Sequence, residues 1–455
     1  MNWVIIIYEK RKRQILLIIV FFFLLTKIIA QHSGHHMHDT IKMNAMDNMS
    51  IDTLQMMSHS FSRNLPMNRN GSGTSWQPNS TPIYGYMKHL GKWNFMLHGN
   101  IYLRYTYQDI NNVGTRGAKM LDAPNWIMLM GQRNVGKRGL FHFSSMFSLD
   151  RFTEGGSGYP LLFQTGESWN GKKLVDRQHP HDLFSELSVA YTHMINKNID
   201  VTFYTGYPGE PAIGPTAFMH RISAFNNPDA PLGHHWQDAT HITFGVATLG
   251  IRYKKFKLEG STFTGREPNE NRFDFDKPKF DSYSCRLSFN PTSCLSLQVS
   301  NAFLNSPESL GSDHDIRRTT ASITYNIMLG KQNHFTNTFV YGQNQRSDKS
   351  VTSSFLLESN LQFKKLAIYG RYETVQKTAE DLALGEVFDI YKKIRVHAVT
   401  LGANYILTTI LNTNMVIGIQ AALFKTGTSL NSIYGRNPLS GQIYLRINPG
   451  MMKAK

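Results

Sequence analysis

The sequence predicts an all-β chain: a transmembrane antiparallel β-barrel of about sixteen strands, preceded by an irregular N-terminal segment that is periplasmic or plug-like. Three observations predict it. From about residue 92, apolar and polar side chains alternate with a period of two over stretches of 8–12 residues. Water-soluble sheets use shorter strands, about 5–6 residues. The gaps between the stretches alternate between tight turns and long loops, and the stretches come to an even number. After residue 30 no apolar run reaches the roughly 18 residues of a membrane helix, which leaves strands as the spanning elements.

The composition is consistent with that class. Of 455 residues, 18% are charged and 12% aromatic, too few charges and too many rings for a disordered chain or a coiled coil. A secreted array of β-sandwiches is the competing architecture.

Residues 1–30 read as a secretory signal peptide. Lys10-Arg11-Lys12-Arg13 is a positive n-region, the run from Ile15 to Leu25 is apolar, and the small Ala30 precedes Gln31. A retained anchor helix is the alternative. Removing the segment takes away five bases and one acid, so a net charge of +16 becomes +12. That charge suits an anionic lipid surface or an anionic solute. An exported chain without a basic cluster on a helix is no nucleic-acid binder.

Residues 31–60 form a His- and Met-rich tail. It carries His32, His35, His36, His38 and His59 together with Met37, Met43, Met46, Met49, Met56 and Met57. Imidazole suits copper, zinc and nickel, whereas thioether selects Cu(I), so the mixture points to a copper ion, or silver, as the bound species. The bland alternative is a polar tail of biased composition. Residues 61–91 are rich in turn formers without periodicity and read as a plug or linker.

The barrel proper is expected over 92–448. Strands are placed near 92–107, 125–132, 138–150, 184–194, 198–207, 240–252, 255–265 and 281–289, then 294–303, 317–328, 334–343, 351–362, 365–376, 394–408, 414–424 and 441–448. Short turns then face the periplasm and long loops the outside, in the outer membrane of a Gram-negative bacterium. Residues 449–455 trail on as an extension without a terminal aromatic. Cys285 and Cys294 flank an Asn290-Pro291 turn, and a register set by that turn does not bring them opposite each other.

Two loops of about 32 residues, 151–183 and 208–239, are long enough to be functional. If both fold inward, His179, His181, His234, His235 and His241 share the lumen with Asp176, Asp182, Glu210 and Asp238. Such a group either holds a metal transiently or forms a hydrogen-bonded network that keeps the loops rigid. The same alternation turns His98 and His142 inward. His142 and Ser144 share one face, as a nucleophile and its base would, but that face points away from lipid.

The runs Leu65-Pro66-Met67, 70–78, 176–182, 209–215, Phe218-Met219-His220-Arg221 and 233–238 resemble a family of poorly characterised bacterial outer-membrane barrel proteins, over about 61–448. The resemblance implies an association with copper-handling systems, and so periplasmic copper-handling proteins as partners. It carries no catalytic residues. The expectation is therefore a non-enzymatic outer-membrane barrel that binds or passes copper in metal resistance or homeostasis, surrounded by outer-membrane lipid and, by strand count, open to homo-oligomer formation. A general or anion-preferring porin is the alternative, and a lipid hydrolase a remote one.

Overall fold

The computed structural model describes residues 61–308, 310 and 314–452. The first hairpin is β1 (Tyr86–Leu90) and β2 (Trp93–Tyr107). Next come β3 (Lys119–Asp122), β4 (Asn125–Val135) and β5 (Gly139–Phe147). A separate hairpin follows, β6 (Tyr159–Trp169) and β7 (Lys172–Gln178). The chain then runs through β8 (Phe184–Asn196), β9 (Ile199–Gly206), β10 (Val246–Tyr253), β11 (Phe256–Phe263), β12 (Ser282–Phe289) and β13 (Leu295–Leu304). After these stand β14 (Ile316–Met328), β15 (His334–Arg346), β16 (Val351–Phe363), β17 (Leu366–Thr378), β18 (Lys393–Ile410), β19 (Thr413–Lys425) and β20 (Leu439–Pro449).

The sheet closes on β2. Its residues from Asn94 to Ile101 pair with β4, and those from Ile101 to Tyr107 pair with β20. The ring runs β2, β4, β5 and then β8 through β20, a closed barrel of sixteen antiparallel strands. Closure leaves no edge with unpaired backbone groups, which hydrocarbon could not solvate. β1 and β3 only extend the ladder beside β2, at its two ends. Tight turns carry backbone with positive φ, as at Leu411 and Asn412 between β18 and β19, which suits the right-handed twist of a two-residue hairpin.

The structure changes three expectations. A strand expected over 240–252 starts only at Val246. Gly245 takes φ +94, which breaks the extended run, and Ile242 and Phe244 continue the apolar alternation as buried loop residues. The region 61–91, read as irregular, contains β1. The loop 151–183, read as structureless, contains β6 and β7, which pair only with each other.

Period two sorts the two faces. In β10, Leu249, Ile251 and Tyr253 point out while Thr248 and Arg252 are buried inside. In β17, Leu366, Ile368 and Tyr372 point out against Ala367, Tyr369 and Arg371. An apolar outside around a polar inside is the membrane-barrel pattern. Among the described residues no helix is long and apolar enough to cross a membrane.

Chain fills the lumen. Residues 61–85 run along the inner wall from the end that carries the short turns. Arg63 donates to the Lys137 carbonyl and Asn64 Nδ2 to Asp200 at 2.8 Å. Farther in, Arg286 donates to Thr74 at 2.8 Å; back at the short-turn end Asn290 donates to the Gln77 carbonyl and Tyr84 meets His334 at 3.0 Å. From the opposite end, the stretch between β9 and β10 descends and meets this segment. Ser72 donates to Glu210 at 3.0 Å and accepts from the Ala217 amide, and Ser75 meets Thr216 at 2.9 Å.

Candidate functional site

The stretch between β9 and β10 crosses the lumen because a series of polar side chains ties it to strands on the far wall. Arg221 bridges Asp238 of its own loop (2.6 Å) and Glu358 of β16 (3.0 Å). Asn226 donates to Asn360, the Leu232 amide to Glu373, and Trp236 Nε1 to Thr352. Asp229 pairs with Arg104 of β2 at 2.9 Å and accepts from Gln420 and Gln442. Arg104 also holds Asp122, so the cation sits between two carboxylates. Buried charges of this kind persist only where each has a partner.

This crossing gathers the loop imidazoles. His234 and His235 lie on a one-turn helix, His234–Gln237, and His241 on the 3-10 turn that follows. His179 and His181 follow the end of β7. Ring centroids are 5.3 Å apart for His234 and His235, 5.2 Å for His234 and His241, 5.8 Å for His181 and His241, and 5.9 Å for His179 and His235. All five are thus contiguous.

Their Nδ1 atoms are all engaged. His181 meets Asp150 at 2.7 Å, His234 meets Asp238 at 2.7 Å, His235 meets Glu267 at 3.1 Å and His179 meets Glu167 at 3.2 Å. His241 Nδ1 meets the Asp238 carbonyl at 2.8 Å. The Nε2 atoms of His179, His235 and His241 are buried without a hydrogen-bond partner. Burial sets the protonation. It pushes the His179 imidazole well below its ordinary value, and the neighbouring His235, His181 and His234 push the same way. His241 falls to about 3, through burial and then His234 and His181. Burial would raise Asp238, but Arg221 and then His234 hold it below the usual carboxylate range. Glu210, buried, rises to about 8 against the pull of Arg286. The imidazoles of His179, His234 and His241 are therefore neutral and carry a lone pair near neutral pH.

The described geometry is a hydrogen-bonded and ion-paired network. Among the described residues no group of three or more His, Cys, Asp or Glu side chains is set to hold a metal ion. Of the expected carboxylates, Asp238 joins the imidazoles. Asp182 instead pairs with Arg272, Glu210 with Ser72, and Asp176 with Arg116 and Tyr434. The sequence reading missed Asp150, Glu167 and Glu267, the Nδ1 partners. Their positions carry no local spacing signal, because each meets its histidine only once the chain between them has folded. The tail residues His32, His35, His36, Met37, His38, Met43, Met46, Met49, Met56, Met57 and His59 lie outside the described residues.

His142 Nε2 meets Ser144 Oγ at 2.9 Å on the inner face of β5. The pair is buried, its ring packs on Phe61 at 4.6 Å, and Nδ1 has no hydrogen-bond partner to orient it as a base. Cys285 points outward from β12 opposite Asn301, and both cysteines are free thiols.

No protein-family description and no curated protein matches the chain. Solved structures that resemble it are outer-membrane barrels. Salmonella typhi OmpF in complex with daunomycin is 8% identical, covering 80% of this chain and 100% of its own, with a TM-score of 0.49. The anion-selective porin from Comamonas acidovorans is 12% identical, covering 78% and 99%, with a TM-score of 0.47. An OmpT loop-deletion mutant from Vibrio cholerae is 8% identical, covering 78% and 99%, with a TM-score of 0.46. At these values the likeness is one of barrel shape alone, and the sixteen-strand closure stands on its own hydrogen-bonded ladder.

Proposed function

We propose that the chain is an outer-membrane channel of the porin type, held closed by its own loop and N-terminal segment. The supporting observation is the crossing itself. Residues 221–238 are bonded to inward side chains of β16, β17, β19, β20 and β2, on the wall opposite the loop's own strands. A solute pore requires that bar to move. In planar bilayers the full chain should conduct little, and deleting 222–232 should raise conductance several-fold. Equal conductance in the two would sink the closed-channel reading. The reversal potential of the opened form in a salt gradient then tells whether the +12 charge expected after export favours anions.

A second reading is favoured by one observation. Nδ1 of each loop imidazole is anchored while Nε2 of His179, His235 and His241 is left free, as in protein sites where an acidic partner orients a metal-binding histidine. On this reading the cluster takes a copper ion, supplied by the 32–59 tail or by a periplasmic copper-handling partner. Drawing the rings together on the metal would strain the closed network. Copper per chain, measured after desalting, should fall in His179→Ala/His235→Ala and in a deletion of 32–59. Unchanged copper in both variants would remove the reading and leave the plain channel.

A further inference from the structure

Alternation places Met96 and His98 on the inward face of β2 and Met128 and Met130 on that of β4. The ladder sets them in rows: Met96 opposite Met130, and His98 opposite Met128. Met128 stands in turn opposite Met146 of β5. Onto this wall the crossing loop lowers a 3-10 turn, Phe218–His220. Its Met219 and His220 line the same cavity of about 80 Å³ as Met96, His98, Met128 and Met130. The His98 and His220 rings are 5.6 Å apart, and Trp126 lies 4.8 Å from His220. The His98 Nε2 atom is buried without a hydrogen-bond partner.

Methionine is a good gap filler, so thioethers alone would argue only for packing. Three features argue for a ligand. The cavity is left open although flexible methionines surround it, and it exceeds the roughly 10–15 Å³ that a single water occupies. The His98 Nε2 nitrogen, buried without a hydrogen-bond partner, stands at it. No Asp, Glu, Lys or Arg lines it, so the donors are uncharged: thioethers and two imidazoles, beside the side-chain oxygens of Asn70, Gln77, Tyr84 and Asn100. Hard cations need oxygen ligands, and structural zinc favours thiolate or several imidazoles. Thioether and neutral imidazole match a d10 ion of low charge.

We propose that this cavity binds a soft monovalent metal ion, Cu(I) or Ag(I), through the thioethers of Met96, Met128, Met130 and Met219 and the imidazoles of His98 and His220. The site rests on the barrel reading, since it exists only when β2, β4 and the loop are in register. It is independent of the copper reading of the other loop imidazoles.

The test is calorimetric titration of the detergent-purified full chain with silver nitrate in chloride-free buffer. Met128→Leu/Met130→Leu should remove one silver equivalent per chain, whereas His179→Ala/His235→Ala should leave that equivalent in place. Cu(I), added under reductant, should displace it; a retained silver equivalent would narrow the site to Ag(I). The same silver count in wild type and Met128→Leu/Met130→Leu overturns the proposal. Heat-modifiable gel migration reports folding of each variant. Should the wall variant not fold, Met219→Leu, on the loop, should weaken silver binding at least tenfold, and unaltered affinity would be decisive against the site. A wild-type chain without heat-modifiable migration overturns the barrel and the site together.

Discussion

Arg221 ties the crossing loop to the far wall. It holds Asp238 and Glu358, both buried, so Arg221→Ala strands two carboxylates without their shared cation. Breaking a buried pair by removing one partner costs about 3–5 kcal/mol. Arg371 still serves Glu358, which places the expected loss toward the lower end. The measurement is the midpoint of thermal unfolding in detergent, and an unchanged midpoint would show that the loop is held elsewhere. Protonation acts at the same scale. His241 titrates at about 3 when folded against an ordinary 6.5, so between these values the unfolded chain binds a proton that the folded chain refuses. Stability from this group is therefore full above about pH 6.5 and falls as pH drops toward 3. His179, His220 and His234 are also lowered by burial and add the same sign. Glu210 has the opposite sign: raised to about 8 from 4.5, its contribution is full below 4.5 and is lost as pH rises through 8. Conductance should thus be lowest near neutral pH and rise on both sides. A flat profile from pH 4 to pH 9 would contradict it.

At the scale of the element, the loop seats against β15 through Asn344, which donates to the His235 carbonyl at 3.0 Å, and most closely where that strand lacks a side chain. A Cβ on Gly342 would stand 2.3 Å from the Trp236 carbonyl oxygen, which is backbone and cannot swing aside. Gly342→Val should therefore unseat the His234–Gln237 turn and open the channel without breaking the barrel. Bilayer conductance checks it against the heat-modifiable band. The outer face gives a separate test. Leu401 of β18 is 65% exposed and faces lipid. Leu401→Arg should destabilise the barrel by about 2–4 kcal/mol if the site lies near the membrane midplane. Chemical unfolding from lipid vesicles measures this, and a loss near zero would place Leu401 outside the hydrocarbon.

For the whole molecule, the expected outcome is recovery in the outer-membrane fraction with a sheet-dominated spectrum. Recovery as a soluble periplasmic protein would remove the channel and both metal readings. The molecule is a barrel whose interior is lined and crossed by its own chain. An apolar cluster lies at the long-loop end, where Phe163 of β6 stacks on Tyr434 at 4.1 Å and packs near Phe424. The β6–β7 hairpin thereby packs against the loop between β19 and β20.

What the sequence determined by itself is the barrel. Alternation at Leu249, Ile251 and Tyr253, or at Ile443 and Leu445, is a local property of extended chain, and each strand reports it without reference to the others. The even strand count and the short-long rhythm of the gaps then leave closure as the arrangement that satisfies every backbone group in a membrane. The inward direction of His98 and His142 was legible in the same way. The tertiary structure alone decided what those inward residues meet. Nothing local tells Asp150 to find His181, Glu267 to find His235, or Met219 to descend on Met128, because these contacts join segments far apart in sequence. Gly245 shows the same limit, since its positive φ ends a strand that the apolar pattern continues. Side-chain period is set by one residue and its neighbours, whereas the site is set by how two loops and a terminal segment share one closed volume.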